Sequence, residues 1–400
     1  MSIEFNPYSP EFQANPYPYY DLLRAHAPIL PTKDGLFLSR YDDCVAALKD
    51  PRLGREILKL MTREQLGWPE PPAELQPLIQ MRNGFMLFKD PPTHTRLRTL
   101  VHKAFTPHMI ERLRWRIQVI AHELIDRMIG RGSADLMADF ALPLPVTVIA
   151  EMLGVPAADY PVFHEWTSAL APTIDLAASP EELALAVKAT VEFSAYLRDL
   201  IAERHRQPQD DLISALAAAE AEGDKLSEDE TVSMCILLLT AGHETTVSLI
   251  GNGMLALLRH PDQWTKLKAD SMQIRTPVEE LLRYDSPIQF TARMVMEPLE
   301  FAGNRLEQGQ SIFILLGAAN HDPSHFTNPN DLDITRDPNP HIAFGNGIHF
   351  CLGAPLARME GQIAFSVLAQ RLPNLQLVSE TPSYRPTFVL RALRELPVTF

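Results

Sequence analysis

The stretch His341–Gly353, His-Ile-Ala-Phe-Gly-Asn-Gly-Ile-His-Phe-Cys-Leu-Gly, constrains this chain more than any other. It sets one cysteine, Cys351, after a glycine-rich loop and before a predicted helix from Leu352 to about Leu372. A thiol there meets the unpaired N–H groups and positive dipole end of the helix, which lowers its pKa and favours the thiolate. Gly345 and Gly347 allow backbone conformations closed to other residues and let the loop lie against something flat. Phe344 adds an aromatic wall and His349 a polar hand. A structural zinc site needs about four ligands in paired spacing, and the chain has no Cys-x-x-Cys. Phe350 stands where a dinucleotide loop would need its third glycine. Two readings of these residues stay open: an inert buried cysteine, or one thiolate ligand offered to a large planar cofactor.

At 46% apolar residues over a length of 400, the chain can bury a core large enough to enclose such a group. Length alone allows two domains, yet no linker composition divides them, and a single domain over residues 1–400 is expected. Cys44, Cys235 and Cys351 are far apart and odd in number, which points to a reducing compartment. A net charge of −14 argues against nucleic acid or an anionic membrane as partner. Residues 1–18 have no signal-peptide core. The apolar runs Met234–Gly242 and Ser311–Ala319 fall short of the roughly 20 residues of a membrane span. A soluble, cytoplasmic monomer is expected.

Asn6 to Tyr20, with repeated Asn-Pro and Pro-Tyr steps, predicts extended structure and turns. Helices are predicted at Asp21–His26 and Asp42–Lys49, with a strand at Gly35–Ser39 between them. Arg52 to Met86 is irregular and reads as a binding lid or functional loop, with a disordered insert as the alternative. Helices follow at Ile110–Met128, Leu144–Leu153, Tyr160–Ala169, Pro180–Arg206 and Leu212–Glu222. Strands are predicted at Ile288–Arg293, Leu299–Ala302 and Ser311–Leu316.

Three further motifs carry chemistry. Asp90-Pro91-Pro92-Thr93-His94-Thr95-Arg96-Leu97-Arg98 opens a helix with His94 and Arg98 four apart on one face, a pair suited to carboxylates. Ser227-Glu228-Asp229-Glu230 is a capping box opening a helix to about Arg259, roughly 50 Å long at 1.5 Å per residue. In its middle lies Ala241-Gly242-His243-Glu244-Thr245-Thr246. Gly242 costs about 1 kcal/mol relative to alanine, which close approach of a cofactor would explain. Thr245 can bond back to the Ala241 carbonyl and open a groove, and Leu237, Ala241 and Thr245 share a face. Glu280 and Arg283, three apart, would contribute only a few tenths of a kcal/mol if exposed. Desolvated and joined by a second arginine, they must be fully matched.

These motifs, in this order, resemble those of the cytochrome P-450 superfamily, over nearly the whole chain. Phe344-Gly345-x-Gly347-x-His349-x-Cys351-x-Gly353 is similar to its haem-binding signature, and Ala241–Thr246 to its oxygen-activation motif. Glu280-x-x-Arg283 is similar to its second fingerprint, with Arg336 as the third member; Leu332 stands where the family usually has phenylalanine. The resemblance implies a mainly α fold with a smaller β-rich region. Haem b, iron protoporphyrin IX, would lie between the long central helix and the helix after the cysteine. Cys351 would bind the iron. His94, Arg98, Arg293 and His349 would meet the propionates, and Phe344, Gly345, Gly353 and Ala241 the macrocycle. Thr245 and Glu244 would be the catalytic pair, and Glu280, Arg283 and Arg336 a structural triad.

The implied reaction inserts one oxygen atom from O2 into a C–H bond, by hydroxylation or epoxidation. Electrons would come from a ferredoxin or flavodoxin-type donor with its reductase, met by a basic patch of Lys103, Arg112, Arg114, Arg116 and Arg358. Phe85, Met86, Leu87, Leu237, Ala241, Ile288, Phe290 and Val389 predict an apolar substrate pocket, with Gln289 as a polar contact. Fatty acids, terpenoids, steroids and macrolide-like polyketides all remain open as that small molecule. A peroxide-driven peroxygenase and a haem-thiolate sensor without turnover are the alternatives, and the complete Glu–Thr pair speaks against both.

Overall fold

The computed structural model describes residues 6–33, 35–174, 178–221, 223–270 and 273–400. Helices run in the order α1 (Pro10–Ala14), α2 (Tyr17–His26), α3 (Tyr41–Lys49), α4 (Gln76–Asn83), α5 (Thr93–Ala104), α6 (Pro107–Ile129) and α7 (Pro143–Leu153). Then come α8 (Tyr160–Leu170), α9 (Pro180–Arg206), α10 (Leu212–Ala218), α11 (Glu228–Arg259), α12 (Pro261–Ala269), α13 (Arg275–Tyr284), α14 (Leu316–Ala319) and α15 (Ala354–Arg371). The strands are β1 (Ile29–Thr32), β2 (Gly35–Leu38), β3 (Leu53–Gly54), β4 (Ser133–Asp135), β5 (Glu220–Ala221) and β6 (Asp224–Lys225). They continue with β7 (Thr291–Val295), β8 (Leu299–Phe301), β9 (Asn304–Leu306), β10 (Ser311–Ile314), β11 (Gln376–Leu377) and β12 (Pro397–Thr399).

The chain divides into two compact units, neither contiguous in sequence. One comprises Met1–Leu53, Ile117–Leu144 and Thr245–Phe400; the other comprises Gly54–Arg116 and Pro145–Glu244. The first holds a sheet of order β1-β2-β10-β7-β3. β10 runs parallel to β2, with Ile312 opposite Leu36, and antiparallel to β7, with Ile312 opposite Arg293. Period-two alternation sends the two faces of this sheet into different cores. Leu36, Leu38, Ile312 and Ile314 join Cys44, Ala47 and Val295. Phe37 and Phe313, stacked 4.5 Å apart, join Phe12, Tyr20, Phe290 and Phe388 on the other side. In the second unit Trp166 of α8 stacks on Phe193 of α9 at 5.1 Å, the kind of aromatic pair that anchors helices lacking long sheet contacts.

Several local expectations are corrected. Asn6 to Tyr20 is not extended: Ser9 caps α1, and Pro10 and Pro18 sit in first turns, where a missing N–H costs nothing. The Arg52–Met86 segment contains α4. The Leu212 helix stops at Ala218, because β5 and β6 form a hairpin there. The strand expected from Ile288 begins at Thr291 instead. Ile288 makes only an isolated bridge to Leu390.

The capping box forms as predicted: the Glu230 N–H donates to Ser227 Oγ at 3.2 Å and the Ser227 N–H to Glu230 Oε2 at 2.9 Å. α11 is long and apolar enough to cross a membrane by composition, but 78% of its most apolar window is buried within the protein, so it is a core helix. Its C-terminal half interlocks with α15. A side chain at Gly253 would come within 2.6 Å of Phe365, and one at Gly361 within 3.1 Å of Leu249.

Candidate functional site

The loop before α15 owes its shape to two glycines. Gly345 and Gly347 have φ of 71° and 70°, and a Cβ on Gly347 would strike the Leu48 carbonyl of α3. Asn346 Oδ1 accepts from the Gly347 N–H, and the Cys351 N–H donates to the Phe344 carbonyl at 3.0 Å, closing the loop on itself. Cys351 emerges exposed just before Gly353, the N-cap of α15. Cys44 and Cys235 differ in kind: burial pushes both thiols up, Cys235 to about 12, so neither supplies a thiolate.

α11 has one accessible seam. From Thr231 to Leu257 every residue is buried except Leu238, Ala241, Gly242 and Thr245, the i, i+3, i+4, i+7 spacing of a single helical face. The N-terminal member is thus Leu238; Leu237, expected on that face, is 5% exposed. A Cβ on Gly242 would meet only Ile149, at 3.8 Å, so protein packing does not demand glycine here. Room is kept for a group the chain does not itself supply. An exposed thiol at a helix start and an accessible seam on a core helix both fit a haem.

The basic residues expected at its propionates are placed as follows. His94 is buried on α5 and Arg98 half-buried one turn later. Arg293 on β7 is 3% exposed, with Nη1 donating to the Ala292 carbonyl at 2.9 Å. His349 ends the short 3-10 turn Gly347–His349. Of the expected substrate residues, Phe85 and Met86 are buried and Leu87 exposed.

Phe290 stacks on Phe388 at 4.2 Å, Val389 packs on the same aromatic core, and Ile288 packs on the aliphatic core beneath the sheet. Gln289 differs from its expected role as a polar substrate contact. Its Oε1 accepts from Tyr20 at 3.0 Å and its Nε2 donates to the Ser286 carbonyl at 2.7 Å, so its amide is used inside the fold.

Glu280, Arg283 and Arg336 meet. Arg283 donates twice to Glu280, both at 2.8 Å, and Arg336 Nε donates to the same carboxylate at 3.0 Å. Asn339 and the Asp333 N–H complete the set, and Arg283 also donates to the Asn320 and Pro329 carbonyls. Each charge of this fully buried pair is matched, as desolvation requires.

Beside it stands an arrangement the sequence reading missed. Glu279 accepts from Arg358 at 2.7 and 2.8 Å and from His341 Nε2 at 2.9 Å. His341 Nδ1 accepts from the Ala343 N–H, and the Arg358 guanidinium lies 4.6 Å above the Phe344 ring. Burial pushes the Glu279 carboxyl up, but the His341 and Arg358 bonds outweigh it and hold the group at about 2. The i, i+1 acids Glu279-Glu280 were the available signal, since adjacent helical positions must serve different partners.

Two more groups were missed. Glu360 on α15 is 2% exposed; burial pushes its carboxyl up to about 8, against the lowering bond with Thr246. It therefore carries a proton at neutral pH. His243 donates through Nδ1 to the Leu239 carbonyl at 2.9 Å, which leaves Nε2 3.5 Å from Glu244 Oε1. A single glutamate in an apolar helix and a His-Glu step in a buried one were the signals.

The basic patch is altered. Arg112 pairs with Asp210, Arg114 with Glu111, Arg116 with Glu151 and Arg358 with Glu279. Its arginines bring their own carboxylates, so the positive field is largely cancelled.

A sequence-family profile described as Cytochrome P450 matches residues 160–393. The biotin biosynthesis cytochrome P450 of Bacillus subtilis is 45% identical, with 100% of both chains covered. The vitamin D(3) 25-hydroxylase of Pseudonocardia autotrophica is 40% identical, over 98% of this chain and 95% of that one. Among solved structures, P450BioI in complex with an acyl carrier protein bearing hexadec-9Z-enoic acid superposes with a TM-score of 0.90 at 46% identity, covering 98% of this chain and 100% of that one.

Proposed function

The chain belongs to the cytochrome P450 family and is a monooxygenase with haem b as cofactor, and on that premise we propose its reaction, partners and site. It inserts one oxygen atom from O2 into a C–H bond of a largely apolar small molecule, in the cytoplasm. Electrons arrive from a separate ferredoxin or flavodoxin-type donor. The observation that carries this reading is the exposed Cys351 thiol at the start of α15, held by a loop that two glycines shape.

Haem, when bound, supplies the O2 chemistry, and a thiolate ligand favours O–O cleavage. The chain's residues do the rest. Cys351 would hold the iron, with the N–H groups at the start of α15 tuning its sulfur. His94, Arg98, Arg293 and His349 would neutralise the propionates, whose unpaired burial would be costly. The Thr245 hydroxyl, on the accessible seam, and the Glu244 carboxyl, buried beside His243, would order water and pass on protons drawn from solvent.

A long acyl chain, alone or on a carrier protein, heads the list of substrates. The P450BioI complex with its acyl-loaded carrier supports this. The test supplies isotopically labelled O2, a surrogate ferredoxin and reductase, and a long-chain acid. One labelled oxygen in the product is expected. Product formed only with peroxide, or label drawn from water, would replace this reading by a peroxygenase.

A further inference from the structure

Arg82, near the end of α4, is a cation without a counter-charge among the described residues. It makes no ion pair among the described residues. Its hydrogen bond goes from Nη1 to the Thr173 carbonyl at a long 3.4 Å, and its guanidinium lies 5.0 Å above the Phe88 ring. Six other arginines of the same unit, Arg96, Arg112, Arg114, Arg116, Arg198 and Arg204, each hold a carboxylate. Burial alone pulls the Arg82 guanidinium below its ordinary pKa, with no acid to restore it. A half-buried arginine so placed has one face on an aromatic ring and its N–H edge unclaimed by any acid. That edge is the geometry that binds carboxylate or phosphate oxygens two at a time.

Its position gives the unclaimed edge a purpose. Gly84, two residues on, packs so closely on α11 that any side chain there would collide with Ser233. Ser233 lies about two turns before Ala241 on α11, so the Arg82 segment rests on the helix that carries the accessible seam. Eight residues of helix put Ser233 and Ala241 about 12 Å apart along the axis. Phe85 and Phe88, near-parallel rings 6.2 Å apart, follow Arg82 in the chain and add apolar surface beside it.

We propose that Arg82 anchors the anionic head group of an amphipathic substrate, a carboxylate or phosphate at one end of a long apolar chain. This rests on the monooxygenase reading and narrows its substrate class. The chain enters head last, and the distance from Arg82 to the seam selects which carbon is oxidised.

The test titrates the haem-loaded wild type, R82M and R82K with palmitic acid, its methyl ester and hexadecanol, reading the Soret spin-state shift. Parallel titrations use palmitoyl-pantetheine with and without its phosphate. The wild type should bind an anionic ligand at least tenfold more tightly than its neutral counterpart. R82M should abolish that preference while leaving affinity for the ester unchanged, and R82K should keep part of it. Preference for the acid identifies a free carboxylate as the natural head; preference only for the phosphate identifies the carrier arm. A wild type indifferent to charge, or an R82M that keeps the preference, overturns the proposal. The reduced carbon monoxide spectrum of each variant separates the two claims. If it is normal and the preference is missing, only the anchor fails; if it is abnormal in the wild type, the haem-thiolate reading fails with it.

Discussion

At the scale of the residue, proton placement decides the chemistry. Thr245 is on the accessible seam of α11 while Glu244 is buried beside His243, so the hydroxyl would be the outermost member of the proposed relay. T245A should therefore keep substrate binding but uncouple it, with more peroxide and less product per NADH; coupling equal to wild type would remove Thr245 from the relay. Glu360 makes a different prediction. Its carboxyl is raised from 4.5 to about 8 in the fold, so the folded state retains a proton that the unfolded chain gives up. Its contribution is complete at acid pH and is lost as pH climbs through that interval. E360Q keeps the shape without the titration, so its stability relative to wild type should rise from pH 5 to 8, by a few kcal/mol at about 1.4 per pH unit. Urea titrations at both pH values check this, and parallel curves for the two proteins would mean that Glu360 is not protonated in the fold. The Glu280 triad was legible because its residues stand at a fixed spacing, and the places of Cys351 before α15 and Thr245 on α11 because local helix signals mark them. Glu360, His243 and Arg82 were not, because a lone charge in a helix reads as solvated until its neighbours are known.

At the scale of the element, Glu279 joins α13 to α15, while its neighbour Glu280 points to a different set of partners. Glu280 completes the buried triad. Glu279 links Arg358 to His341 and so steadies Phe344 and the cysteine loop. E280Q leaves two guanidinium groups without their charge partner and should cost about 3–5 kcal/mol of stability, visible as poor haem retention. E279Q should fold, because its site is part-exposed, but should leave the Arg358 charge uncancelled over Phe344 of the cysteine loop. A more positive reduction potential is the expected result; an unchanged potential would make Glu279 a packing residue only. Element boundaries followed local signals where caps and periodicity were strong, as at Ser227 and along α11. They failed where proline served as a helix starter, at Pro10 and Pro18, and where a tertiary contact outvoted the pattern, at Gln289. No one-dimensional pattern records that Tyr20 occupies the Gln289 amide.

At the scale of the whole molecule, an overall charge of −14 and a set of paired arginines set the terms for meeting an acidic donor. Arg112 is tied to Asp210 and Arg114 to Glu111, both exposed pairs worth little in stability and easily exchanged. Removing the internal acids should uncover the arginines. D210N with E111Q is expected to quicken association with an acidic ferredoxin at low ionic strength and to steepen its salt dependence. Stopped-flow reduction reads this directly, and unchanged rates would place the docking face elsewhere.

The central claim is that Cys351 binds haem iron as a thiolate. Its most direct measurement is the carbon monoxide difference spectrum of the reduced, haem-loaded protein, beside that of C351A. A red-shifted thiolate Soret band in the wild type, absent from C351A, is the predicted result; a wild type without that band, or a C351A protein that keeps it, would contradict the account.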